Sequence, residues 1–156
     1  MRFAFIAALL MAFGCVSAYD ETYAKETEML EQAEQKRQAE EAAAHAEARK
    51  YAAVVYFDVN SAEIKDAREL DWFVKQMQPY PQAIIQVQGF ADSTGTESLN
   101  QKLSEQRAAS VAQYLGSAGI DPAQIRTEGF ASEYAARPNV TAEGRQRNRR
   151  VEVTVR

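Results

Sequence analysis

The sequence predicts an α+β sandwich of order β-α-β-α-β-β, with two helices on one face of a small mixed sheet and a helical spacer ahead of it. Three patterns in the 156 residues carry that reading. Short apolar runs rich in Val, Ile and aromatic residues recur at Ala53–Phe57, Ala83–Gln88, Ile125–Phe130 and Val151–Val155. The last alternates cleanly, in the manner of a strand with one solvated face. Between the runs lie apolar residues at helical spacing. From Asp20 to Lys50 the composition turns mainly to Ala, Glu, Gln, Lys and Arg, without Gly or Pro.

In chain order, residues 1–18 read as a targeting segment, 19–52 as the spacer and 53–156 as the folded domain. Arg2 is a minimal positive start, and Phe3 to Phe13 is an apolar run of eleven. That is shorter than the ~20 residues that span a bilayer, and it suits a signal-peptide core. Two cleavage readings stay open. Ala12-Phe13-Gly14-Cys15 has the form of a lipoprotein box, in which Cys15, the only cysteine, is acylated and becomes the new N-terminus. Val16-Ser17-Ala18 suits ordinary signal peptidase instead. Either route exports the chain.

The spacer residues favour helix on intrinsic propensity. Glu21/Lys25, Glu34/Arg37 and Glu47/Lys50 add weak surface support. Met29, Leu30 and Ala33 begin an apolar stripe that only alanines continue, so a strong coiled coil is not expected. Thirty residues at ~1.5 Å each make a rod of about 45 Å; a partly disordered tether is the alternative. His45, the only histidine, falls here and leaves the folded domain without one.

In the domain, Ala53–Phe57 is broken by Asp58-Val59-Asn60-Ser61. Asn60 with Glu63 has the form of an N-cap and capping box. Ile64, Ala67, Leu70, Phe73 and Met77 follow at helical spacing until Pro79 and Pro81 stop the helix. After the second strand, Leu103, Val111 and Leu115 form the next helical face, with Gly116 and Gly119 as its stop.

Charge narrows the function. Tyr19–Ala53 holds 5 basic and 9 acidic residues, Val54–Arg156 holds 12 and 13, and the chain totals −4. No single-sign basic field exists to attract nucleic acid. With no histidine, activated nucleophile or metal-ligand spacing in the domain, neither a catalytic set nor a cofactor nor a metal is expected. The enzyme alternative is a paired-carboxylate glycan hydrolase built on Asp58 and Asp92.

The chemistry concentrates in Gly89-Phe-Ala-Asp92-Ser-Thr-Gly95, continuing through Asn100, Leu103-Ser104 and Arg107-Ala108. Asp92 lies in a Gly-flanked turn after a strand. Arg107 lies on a helix expected to restart at Ser104 as N-cap, where the helix start also favours an anion. One fixed anion and one fixed cation facing one small space suit a ligand carrying both an ammonium and a carboxylate. Spacing alone equally allows an Asp92–Arg107 salt bridge that staples turn to helix. The run Arg145, Arg147, Arg149, Arg150 is expected to send Arg149 toward the site and the others mostly to solvent or nearby carboxylates.

These motifs resemble the OmpA C-terminal domain family, the peptidoglycan-binding domain shared by OmpA-, Pal- and MotB-type proteins. The likeness covers about residues 54–156. It runs in order through Tyr56-Phe57-Asp58-Val59-Asn60, Gly89-Phe90-Ala91-Asp92, Asn100, Leu103-Ser104, Arg107-Ala108, Gly129-Phe130, Asn139-Val-Thr141, Gly144-Arg145 and Asn148-Arg149-Arg150-Val151-Glu152. Ala91 departs from the more usual threonine, and Gly129-Phe-Ala-Ser132 stands where Gly-Tyr-Gly-Glu is common. The resemblance implies non-covalent binding of peptidoglycan through the diaminopimelate of its stem peptide. Asp92 and Arg107 would be the principal pair, and Asn60, Asn100, Leu103 and Arg149 would line the groove. It further implies a tether between outer membrane and cell wall on the periplasmic face, or a soluble periplasmic binder if Cys15 is unmodified. A Pal-like role with Tol-type periplasmic partners in an envelope-spanning division complex is the alternative.

Overall fold

The computed structural model describes residues 18–156, so the cleavage and acylation expectations around Cys15 lie outside the described residues. Helix α1 runs Ala18–Ala48. From Tyr23 to Ala44 every side chain is exposed. Its support is local: Arg37 lies 3.5 Å from Glu34 and 4.0 Å from Glu41, Lys36 lies 3.9 Å from Glu40, and Lys50, just beyond the helix, reaches Glu47 at 2.5 Å. Such exposed pairs add little each, and helix propensity provides the rest. No helix among the described residues is long and apolar enough to cross a membrane. The chain divides into two compact units after Glu41. The end of α1 therefore belongs with the folded domain, where Ala48 is fully buried in the core.

The domain continues through β1 (Ala52–Tyr56), α2 (Arg68–Met77), β2 (Ile85–Gly89), α3 (Glu97–Ser117), β3 (Ile125–Gly129), α4 (Ala142–Asn148) and β4 (Arg150–Val155). The four strands form one mixed sheet in the order β1-β4-β2-β3. The final strand β4 inserts between β1 and β2, antiparallel to both, while β2 and β3 run parallel. Period-two burial sets the register: Ile85 and Val87 on β2 and Val151, Val153 and Val155 on β4 turn one face inward. Leu70, Phe73 and Met77 are the buried stripe of α2. The buried stripe of α3 changes character along its length, from Asn100, Ser104 and Arg107 at one end to Ala108, Val111 and Leu115 at the other. The apolar end covers the sheet. The polar end reaches past it and supplies the site.

Three local expectations change. First, α3 does not restart at Ser104. Thr96, in extended conformation, is its N-cap and accepts from the Leu99 amide. Nothing between Glu97 and Ser104 breaks the helix, so Arg107 sits mid-helix, away from the helix start. Ser104 is buried and ties two segments instead, donating to Gln101 O and accepting from Ala131 N. Second, Asn60 caps no helix. It occupies a left-handed turn at φ +53°, a conformation Asn tolerates, and α2 starts only at Arg68, whose amide bonds Asp66 Oδ1. Third, Arg145 and Arg147 lie on a short additional helix, α4, capped by Thr141, with Arg149 at its C-terminal end and Arg150 opening β4.

Candidate functional site

β2 ends at Gly89 because α3 passes directly over it. A Cβ there would come within 2.0 Å of Ser104 O, so only glycine admits the helix. That close approach brings the polar end of α3 against the turn after β2. The two enclose an open groove of about 390 Å³. Asn60, Asp92, Asn100, Leu103, Arg107 and Arg149 all line it, so the six residues singled out in the sequence converge on one surface. Thr94, Lys102 and Gln106 complete its polar wall, and the exposed Val59 and Leu99 add apolar rim.

Arg107 is completely buried, and each guanidinium nitrogen gives one bond to a backbone carbonyl, leaving one N–H on each terminal nitrogen. Nε donates to Ser61 O at 2.8 Å, one terminal nitrogen to Phe90 O at 3.0 Å and the other to Asp58 O at 2.9 Å. The Phe57 ring lies 5.4 Å from its centre. Neutral carbonyls orient the cation without cancelling its charge. Burial, then the nearby Arg149, push its pKa down to about 10, with Asp92 pulling the other way.

Asp92 does not pair with Arg107. Its Oδ2 accepts from Arg149 at 2.7 Å, both side chains being nearly inaccessible, and its Oδ1 accepts from the Thr94 amide at 2.8 Å. Burial pushes the carboxyl up, but the bonds from Arg149 and Thr94 outweigh it, and its pKa lies below the ordinary value. Arg149 is held in turn by Phe57 O at 3.1 Å and by the Gln146 side chain. The alternative of an Asp92–Arg107 staple is therefore not realised; Asp92 is paired instead with an arginine 57 residues away in sequence. Asn100 closes the turn, donating to Asp92 O at 3.0 Å.

Electrostatically, this leaves two buried guanidiniums around one buried carboxylate. Arg149 neutralises Asp92; among the described residues Arg107 has no anionic partner. The groove wall thus carries an uncompensated cation at Arg107, able to take an anion, beside a carboxylate at Asp92 with lone pairs left over.

The rest of the run divides: Arg147 stays exposed and Arg150 meets a nearby carboxylate, as expected, while Arg145 turns to a backbone carbonyl. Arg150 is buried, pairs with Glu152 at 2.6 Å and stacks 4.1 Å above the Phe90 ring. Arg145 donates to Asn139 O, and Arg147 lies over Tyr56. Sequence reasoning also missed the contacts that Ser93, Thr94, Asn139 and Gln146 make around Asp92. The signal was present only as the ordered motif from Asn139 to Arg149.

Residues 56–149 match the OmpA family. The chain belongs to that family. It is 43% identical over 103 residues to the "Probable lipoprotein YiaD" of Escherichia coli, covering 65% of this chain and 47% of that protein. It is also 39% identical over 90 residues to the "Peptidoglycan-binding protein ArfA" of Mycobacterium tuberculosis, covering 58% of this chain and 28% of that one. The chain thus spans half or less of the length of these relatives. Among solved structures, the peptidoglycan-associated lipoprotein of Burkholderia pseudomallei superposes with a TM-score of 0.64 at 26% identity, over 67% of this chain and 90% of that one. The cell wall anchor of the T6SS from Pseudomonas aeruginosa gives 0.57 at 31% identity, over 67% and 79%.

Proposed function

We propose that the groove binds peptidoglycan non-covalently by taking the zwitterionic end of diaminopimelate in the stem peptide. The observation that carries this reading is the buried Arg107, oriented by three carbonyls and left without a counter-ion. The ligand carboxylate pairs with Arg107, and the ligand ammonium sits against Asp92, whose lowered pKa keeps it ionised at neutral pH. Two relatives named for peptidoglycan binding or association support the substrate class. Asn60, Asn100 and Leu103 shape the wall, and Arg149 holds Asp92 in place.

The hydrolase alternative is disfavoured on electrostatic grounds. Asp58 is bonded to Lys65 and Asp92 to Arg149, and both carboxyl pKa values are lowered, first by Lys65 for Asp58. A glycosidase acid needs the reverse, a carboxyl kept protonated.

The binding reading is tested by sedimentation with purified diaminopimelate-type sacculi. The wild-type protein is expected in the pellet and the Asp92→Asn variant, folded by circular dichroism, in the supernatant. Equal pelleting of a folded variant would reduce the Asp92 site to a structural staple.

Joined to Cys15 acylation, the same binding would make α1 a spacer between outer membrane and wall, acting by reach. Cys15→Ser should then release the protein from membranes. An unmodified mature N-terminus at Tyr19 contradicts the anchor and favours a diffusing periplasmic binder. Capture of Tol-type partners would add the division-complex role.

A further inference from the structure

The motif from Asn139 to Arg149 has a purpose beyond delivering Arg149. Thr141 Oγ1 accepts the Gly144 amide at 2.9 Å and starts α4. A Cβ on Gly144 would lie 1.9 Å from Pro138 O, so glycine lets the preceding loop fold back on the first turn of the helix. Arg145 secures that loop through Asn139 O at 2.8 Å. At the far end of α4 the fully buried Asn148 grips the loop again. Its Oδ1 accepts from Arg137 N at 2.9 Å, and its Nδ2 donates to Arg137 O and to Asn139 Oδ1, each at 2.8 Å.

The same Oδ1 of Asn139 accepts from Ser93 N at 3.2 Å. Ser93 N and Asp92 O belong to a single peptide group, and Asp92 O accepts from Asn100. That peptide plane is therefore held at both polar atoms, by α3 on one side and by the α4 loop on the other. Fixing the plane fixes the backbone torsion that aims the Asp92 side chain.

We propose that Asn139 is a positioning residue for Asp92: one carboxamide oxygen locks the peptide after Asp92 to the loop before α4, the helix that ends at Arg149, and so presets the direction of the carboxylate toward the ligand ammonium. The proposal rests on the diaminopimelate reading. Ser93 is exposed, so water can replace Asn139 at its amide, whereas the fully buried Asn148 Nδ2 loses one acceptor and the fold loses some stability there. Water cannot hold the plane of the Ser93 amide against rotation. The loss of the Ser93 contact therefore falls on ligand affinity, which depends on preorganisation.

The test compares wild type, Asn139→Leu and Asn139→Asp for binding of a soluble diaminopimelate-containing muropeptide by calorimetry, with thermal melting and the Ser93 amide proton shift followed in parallel. Leucine keeps the size and removes the acceptor. It is expected to weaken binding about ten-fold, move the Ser93 signal and lower the melting temperature by no more than about 10 °C, the loss at Asn148. Aspartate keeps both acceptor contacts and is expected to bind within about three-fold of wild type. A leucine variant that binds like wild type overturns the positioning role. So does an aspartate variant as weak as leucine, and a leucine variant that binds weakly without moving the Ser93 signal shows a structural residue only. A wild-type protein that ignores the muropeptide overturns the diaminopimelate reading, and this proposal with it.

Discussion

Helices α1 and α3 spend their charges in opposite ways. α1 keeps Lys36, Arg37, Glu34, Glu40 and Glu41 in water, in pairs between 3.5 and 4.0 Å whose side chains stay at least 60% exposed. α3 carries Arg107 into complete burial and gives it three carbonyls in place of a carboxylate. Screened by solvent, the first set contributes little and tolerates change. Desolvated, Arg107 must be oriented, and in the proposed reading its unmet demand for an anion is what makes a site. The lesson is that burial without a counter-charge sets Arg107 apart, while the number of charges on α1 marks nothing.

The largest effect that could break this comparison is expected from Arg107→Met. It strands the carbonyls of Asp58, Ser61 and Phe90, and at about 1 kcal/mol or more for each the loss should reach about 3 kcal/mol in urea denaturation. Removing this arginine is therefore not a clean test of binding, contrary to what its place in the motif suggests. A loss no larger than that of an α1 substitution would abolish the distinction between the two helices.

Asp92→Asn is expected to cost about 2 kcal/mol at pH 7, because Arg149 is left buried without its anion. The folded-state pKa of Asp92 is lowered, so the stability it contributes is present above the unfolded value of about 4 and is lost as pH falls through the folded value. The gap between wild type and variant should therefore close on acidification below about pH 4. A gap independent of pH would mean that the Asp92–Arg149 pair is not what the variant removes.

Ala131→Gly should stabilise the protein, by about 0.5 kcal/mol. Ala131 sits at φ +45°, where an alanine is strained and glycine is not, less the extra entropy glycine gives the unfolded chain. It follows Phe130 at the position where the family commonly has glycine. A loss of stability would show that the buried methyl outweighs the strain. Smallest of all, Lys36→Ala on α1 should change stability by less than about 0.5 kcal/mol.

What was legible in the sequence follows the same division. α1 could be read from composition because its structure is local. The strands and the α2 stripe could be read from periodicity because one-sided burial imposes it. The six groove residues were found together, since motif order preserves what the fold assembles. The wiring among them was not legible. Which arginine meets Asp92 depends on β4 inserting between β1 and β2, which brings Arg149 to a turn 57 residues upstream. The Ser104 and Asn60 caps failed for a related reason: both have capping chemistry, and tertiary contacts recruited each elsewhere, Ser104 to Ala131 and Asn60 to a left-handed turn. α4 was hidden because Arg145 and Arg147 read as part of a solvated run, and the residues that start the helix, Thr141 and Gly144, carry no apolar periodicity.

The most direct measurement is the affinity of the wild-type protein for two stem peptides that differ at one residue, diaminopimelate in one and lysine in the other. Both present an ammonium to Asp92; only diaminopimelate also presents a carboxylate to Arg107. If the unpartnered guanidinium is the anchor, calorimetry should show the diaminopimelate peptide binding at least about 100-fold more tightly, the equivalent of one charge-assisted pair. Equal affinities would mean that Arg107 only braces the fold, and the central assignment of the groove would be wrong.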